Sequence, residues 1–104
     1  MHIDELDPPA LVIDLDIMEA NLQRVADYAA KHKLRLRPHT KTHKIPALGK
    51  RQIELGAAGL TVAKTTEAQV MLRAEPRDLL VAYPVLGNKK LDRLMEVARK
   101  TAVT

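Results

Sequence analysis

The chain has 104 residues, 17 Lys and Arg against 13 Asp and Glu, no cysteine, no Phe or Trp, and two tyrosines, Tyr28 and Tyr83. That length suits one small domain with one core, and the missing cysteines exclude disulfides, thiolate zinc sites and thiol catalysis. The aromatics that a single-strand nucleic-acid binder stacks on are scarce, and a net charge of +4 is too mild to imply nucleic acid by itself.

The acidic, polar opening MHIDELDPP lacks a signal-peptide pattern, and no apolar run approaches membrane-spanning length, so a soluble cytoplasmic chain without a membrane partner is expected. Ala10 to Leu15 is apolar and β-prone and predicts a strand. Asp16, with Glu19 three residues on, has the form of a capping box that opens a helix. Met18, Leu22, Val25, Ala26 and Ala29 then recur on one helical face, and the pattern fades at His32 and Lys33. Leu34 to Arg37 predicts a second strand, ended by Pro38, which has no N–H for a ladder; His39 to Lys44 is then a loop. Pro46 suits the first turn of a helix running to Leu55, with Gly56 as its C-cap. Gly59 to Ala63 predicts a strand, and Thr65 or Thr66 opens a short helix that carries Glu67 and stops at Pro76. Leu79 to Tyr83 predicts another strand. Gly87 and Asn88 open a helix with Leu91, Leu94, Met95 and Ala98 as its buried stripe, and Ala102 to Thr104 begins a further strand. Regular alternation of this kind implies an α/β fold with a parallel sheet. A complete parallel barrel takes roughly 250 residues, so the pattern leaves open a small open sheet or the front part of a barrel.

The stretch Leu34 to Lys44, LRLRPHTKTHK, puts Arg35, Arg37, His39, Lys41 and His43 on one parity. Four readings compete. A metal shared by His39 and His43 suits a helix, but an extended chain separates them by about 13 Å, and no third ligand is visible. A phosphate-contacting stripe is possible in principle, yet it is short and lacks aromatic partners. A solvated strand face is the ordinary explanation of such alternation, although strands of a covered parallel sheet read as continuous apolar runs, and the arginines break that rule. A cofactor site is the fourth reading, because ligands in α/β proteins sit at the carboxyl ends of strands. A lysine crowded by other cations there tends toward the neutral amine that Schiff-base chemistry needs. Lys41, Lys44 and Lys64 all meet that description, so the residues alone leave the choice open.

Pro9 to Leu15, Arg37 to Lys44 (RPHTKTHK), Gly59 to Lys64 and Ala82 to Pro84 together resemble the N-terminal part of D-threonine aldolase and D-serine dehydratase-like enzymes. The resemblance runs from about Asp4 to Thr104, and RPHTKTHK is its most specific piece. It implies a pyridoxal-phosphate protein with the alanine racemase type of parallel (β/α)8 barrel, followed by a C-terminal β domain. Residues 1–104 would form an incomplete part of that barrel: a leading strand and helix, about three βα units and the start of another strand. The resemblance further implies that Lys41 binds pyridoxal phosphate covalently. His39, Lys64 and Tyr83 would face the cofactor region, and Arg37, on the inward parity, would add positive charge. The implied activity is retro-aldol cleavage of a D-3-hydroxy amino acid, with D-threonine giving glycine and an aldehyde. Dehydratase-type β-elimination, or cofactor binding without turnover, are the alternatives. A homodimer and a divalent metal are also implied for the full-length family; the metal ligands and phosphate-binding loops lie downstream, so no metal ligand is assigned here and the chain alone is expected to be inactive. Pro8, Thr66 and Glu75-Pro76 depart from the family's usual residues, in turns outside the motif.

Overall fold

The computed structural model describes residues 2–104, so Met1 of the expected 1–104 unit lies outside the described residues. After a 3-10 turn at Ile3–Glu5 the chain continues into a segment that joins no strand among the described residues. Ala10 to Leu15 is therefore not a strand: residues 10–13 make no backbone hydrogen bond among the described residues, Leu11 is 95% exposed, and Leu15 is already helical. Its β-prone composition is intact, but a strand needs a neighbour to take its N–H and C=O groups, and none is within reach.

Helix α1 spans Leu15–Lys31 and is capped by Asp14 instead of the expected Asp16. The Asp14 carboxylate accepts from the N–H groups of Asp16 and Ile17, each at 3.0 Å, as an N-cap does. Asp16 falls in the first turn, where its charge favours the helix dipole, and Glu19 is free to reach across to Arg51. The apolar stripe of α1 is shallow. Ala29 is buried, Met18, Leu22 and Ala26 are half-buried, and Val25 is exposed. The helix closes with Lys33 in the left-handed region, the Leu34 N–H bonding to the Ala29 carbonyl and the Lys33 N–H to that of Ala30. Helix α2, Pro46–Glu54, ends in the same motif as expected, with Gly56 at φ +102°.

Strands β1 (Leu60–Val62), β2 (Asp78–Val81) and β3 (Ala102–Val103) form a parallel sheet in that order, with Leu60 opposite Leu79 and Asp78 opposite Ala102. Helix α3 (Thr65–Met71) with a 3-10 turn (Leu72–Ala74) joins the first two strands, and α4 (Asn88–Ala98) joins the last two. Leu60, Val62 and Leu79 point to the helices and are fully buried with Ala68, Met71 and Val97, while Ala74 closes the cluster. Val97 was missed by the periodicity. The expected Leu91 and Met95 are 44% and 59% exposed, Ala98 is exposed and Leu94 is half-buried. A short helix over one sheet edge buries a narrower face than its apolar pattern allows.

Leu34 to Arg37 is not a separate strand, and Pro38 does not end pairing. The contact with β1 begins where the Leu36 carbonyl accepts from the Ala58 N–H, continues as the Pro38 carbonyl accepts from Thr61, and closes as the Thr40 N–H donates to the Thr61 carbonyl, each at 2.8 Å. His39 bridges Thr61 in parallel register. Pro38 lacks the donor that would make this a full ladder, but its carbonyl still pairs, so the edge extends two residues past it. Among the described residues no helix is long and apolar enough to cross a membrane. The architecture is α/β with a small parallel sheet, as expected.

Candidate functional site

Side chains alternate across a strand. With Leu60, Val62 and Leu79 turned to the helices, Thr61, Leu80, Arg37 and His39 share the opposite face. Two threonines fasten that edge. Buried Thr61 donates its hydroxyl to the Arg37 carbonyl at 2.9 Å, and buried Thr40 donates to the Thr61 carbonyl at 3.2 Å. Nothing in the sequence pattern singled out Thr40.

Arg37 does not join the other expected site residues. Its guanidinium pairs with the Asp78 carboxylate at the start of β2. Both side chains are partly buried, at 27% and 16% exposure, and Arg37 Nε and Asp78 Oδ1 have no other partner. This ion pair ties three neighbouring segments together at the end of the sheet away from the lysines.

Beyond Thr40 the chain turns through Lys41, Thr42, His43 and Lys44. Its shape is set locally by a repeated device. The His39 Nδ1 accepts from the Lys41 N–H at 3.2 Å, and the His43 Nδ1 accepts from the Ile45 N–H at 3.0 Å. Each ring thus takes a backbone donor two residues on, as Asn and Asp do in turns. Lys44, at φ +53°, turns its ammonium back to the Lys41 carbonyl and to Glu67 Oε1, 3.4 Å away. Glu67 is 8% exposed and its other oxygen accepts the Ala63 N–H at 2.8 Å. Burial opposes its charge, but the Ala63 N–H and Lys44 together outweigh that and hold the carboxyl below its ordinary value. Glu67, read from sequence only as a first-turn acid, is the anchor of the lysine loop. The one signal for it was its place three residues after Lys64.

Lys41 itself is exposed, and its ammonium has no hydrogen-bond or ion-pair partner among the described residues. Lys64 and Tyr83 stand together on the rim of a pocket of about 520 Å³ at the carboxyl ends of β1 and β2. Lys41, His39 and Arg37 do not line it. The expected residues thus fall into three places: Lys41 on the loop with His39 on the edge that leads into it, Lys64 and Tyr83 at the pocket, and Arg37 at the far end of that edge. Among the described residues, no three His, Asp or Glu side chains cluster to hold a metal, and His39 and His43 make separate backbone contacts.

His43 gives the loop a pH response. Burial of the ring holds its pKa below the ordinary 6.5, and the Lys44 charge adds to that. The unfolded chain then binds this proton more readily, so stability is full above about 6.5 and falls as pH drops toward the depressed folded value. Glu67 extends the loss further down, its contribution being present above the ordinary carboxylate value of 4.5 and lost as pH falls through its lower folded value. In His43→Asn, whose side-chain oxygen can still accept from Ile45, melting temperature should change less between about pH 7 and 5 than in the parent. Parallel curves for the two proteins would assign that slope to other groups.

Comparison with protein-family models finds no match. The chain is 38% identical to a D-threonine aldolase of Arthrobacter sp. over 99 residues, 95% of this chain and 26% of that protein. It superposes on the crystal structure of D-threonine aldolase from Filomicrobium marinum with a TM-score of 0.92 at 42% identity, covering 97% of this chain and 27% of the other. The D-threo-3-hydroxyaspartate dehydratase of Delftia sp. HT23 gives 0.80 at 36% identity, covering 91% of this chain and 25% of that one. The chain therefore spans about a quarter of the length of the relatives it matches.

Proposed function

We propose that residues 1–104 supply the cofactor-lysine portion of a parallel (β/α)8 barrel in a pyridoxal-phosphate-dependent lyase acting on D-3-hydroxy amino acids. The proposed reaction is cleavage of D-threonine between Cα and Cβ to glycine and an aldehyde. The observation that carries this reading is the difference between two lysines of one loop. Lys44 is committed to Glu67 and the Lys41 carbonyl, whereas Lys41 extends an amine free of any partner among the described residues. A lysine that is to bond a cofactor covalently needs that freedom.

The donor chemistry fits the cofactor: an aldehyde calls for an unpaired amine, which Lys41 offers, and an anionic group for cations, of which Lys64 at the neighbouring strand end is one. When bound, pyridoxal phosphate supplies an electron sink for the pair left on Cα. The chain's own residues hold and orient. Lys41 is the attachment point, His39 fixes its backbone N–H, and Lys44 with Glu67 fixes its carbonyl. Tyr83 brings a hydroxyl to the next strand end. Arg37 enters the reading through the edge segment it anchors, since Asp78 holds its side chain. A divalent metal would take its ligands from elsewhere, and a cytoplasmic homodimer is the setting the reading assumes.

The aldolase reading is preferred over elimination because the aldolase structure from Filomicrobium marinum is the nearer of the two compared, in identity and in superposition. Product identity separates them: glycine marks cleavage, whereas ammonia and a keto acid mark elimination. The lysine assignment is tested by titrating the chain with pyridoxal phosphate, reducing with borohydride and mapping the labelled peptides. One pyridoxyl group on Lys41, absent from Lys41→Ala, is the expected result. Label spread over Lys44, Lys64 and surface lysines, or unchanged in the variant, would overturn it.

A further inference from the structure

The loop after the edge segment offers two lysines to any aldehyde, Lys41 and Lys44. Exposure does not separate them, since the Lys44 side chain is itself 56% exposed. What separates them is Glu67. Lys44 is fixed at both ends: its backbone N–H donates to the Thr40 carbonyl at 2.8 Å, and its ammonium donates to the Lys41 carbonyl and faces Glu67 Oε1 at 3.4 Å. Glu67 is no ordinary surface partner. Its side chain is 9% exposed, its other oxygen accepts the Ala63 N–H just past β1, and it stays ionised at neutral pH. Lys50 supplies the contrast. It is 53% exposed and lies 3.2 Å from Glu75, whose side chain is 77% exposed. Charges that water reaches on both sides attract weakly, whereas a carboxylate shielded from water holds its cation more strongly. An amine attacks an aldehyde with its lone pair. Lys44 must therefore shed a proton and leave two oxygens before it can react, whereas the Lys41 ammonium has no partner to leave among the described residues.

We propose that Glu67 is a positioning residue that selects between the two lysines: acting through the Lys44 ammonium, it withholds that amine and leaves an incoming aldehyde to Lys41. The inference rests on the reading of Lys41 as the attachment point and adds the residue that makes the attachment specific. The same contact holds the Lys41 carbonyl from one side while His39 holds its N–H from the other. Selection and placement thus come from one chain of contacts, Ala63 to Glu67 to Lys44 to Lys41. A helix acid that merely stabilised the fold would change the loop's lysines together and leave their ratio alone.

Reductive methylation at neutral pH with limiting formaldehyde and cyanoborohydride, followed by mass mapping of the lysine peptides, reads each amine separately. Formaldehyde needs no cofactor site, so the outcome does not depend on whether pyridoxal phosphate binds. In the parent chain Lys44 should react roughly tenfold more slowly than Lys41, with Lys50 within about twofold of Lys41. Glu67→Gln keeps the shape of the side chain and an oxygen for the Ala63 N–H. In that variant Lys44 should gain roughly fivefold relative to Lys41, with Lys50 and the exposed Lys100 unchanged. Lys44 reacting as fast as Lys50 in the parent would overturn the inference, as would an unchanged ratio of Lys44 to Lys41 in folded Glu67→Gln. The parent comparison needs no variant, and it decides the matter even if Glu67→Gln fails to fold.

Discussion

Gly59→Val should destabilise the chain by about 3 kcal/mol, lowering its melting temperature by roughly 15 °C. The reason is the backbone that crosses this position. A Cβ at residue 59 would lie 2.5 Å from the Asp78 carbonyl oxygen, 3.0 Å from the Asp78 Cβ and 3.1 Å from its carbonyl carbon. Two of these three atoms belong to the main chain of β2 or its edge, so no rotamer change relieves them. Relief requires β1 and β2 to part where Leu60 pairs with Leu79, and both residues are core members with no exposed surface. Thermal unfolding followed by circular dichroism measures the effect. A loss below about 1 kcal/mol would mean that the strands separate at little cost, and the crossing would not be the constraint described.

Asp78→Asn isolates the ion pair from that crossing, because the two side chains have the same shape. It should cost about 2 kcal/mol, below the range for breaking a fully buried pair because the partners retain some contact with water. The loss arises chiefly from Arg37, whose partly buried cation is left facing a neutral carboxamide. Arg37→Met alone should cost less than Asp78→Asn, since the aliphatic stem still packs and a carboxylate at a strand end is more easily hydrated. The double variant should be more stable than the sum of the two losses predicts. Strict additivity in that cycle would mean that the two side chains do not interact. The same variants should loosen the lysine loop, because the Arg37 carbonyl and Thr61 hydroxyl share the edge that the pair holds. Amide exchange at Thr40 and Lys41 should rise in Asp78→Asn more than exchange in α2.

What could be read from the sequence was local. Leu60 to Val62 and Leu79 to Val81 are short apolar runs, and Pro46 and Gly56 punctuate α2 at its two ends. The loop expected at His39 to Lys44 was legible from its polar run, but its start was placed too early, because His39 and Thr40 still pair with Thr61. What escaped depends on residues distant in the chain. Ala10 to Leu15 has the composition of a strand and lacks only a neighbour, which composition cannot report. Arg37 was placed with His39 and Lys41 by parity, which was correct for the face; its side chain went to Asp78, a partner 41 residues away. Lys44 and Glu67 were read separately as a loop cation and a helix acid, and they pair across 23 positions of sequence. In α1 the cap moved from Asp16 to Asp14 because both have the chemistry, and the backbone of Asp14 is the extended one.

The sheet's strand order has a consequence for how the chain can be made. Each segment pairs only with the one before it: the edge around His39 with β1, β1 with β2, and β2 with β3. Every pairing closes a single βα unit, and none waits for a distant residue to return. Such a sheet can be laid down during synthesis in the order of translation, each helix covering its strand as the next one leaves the ribosome. On the growing side the open edge is at each stage the strand most recently made, β1, then β2, then β3.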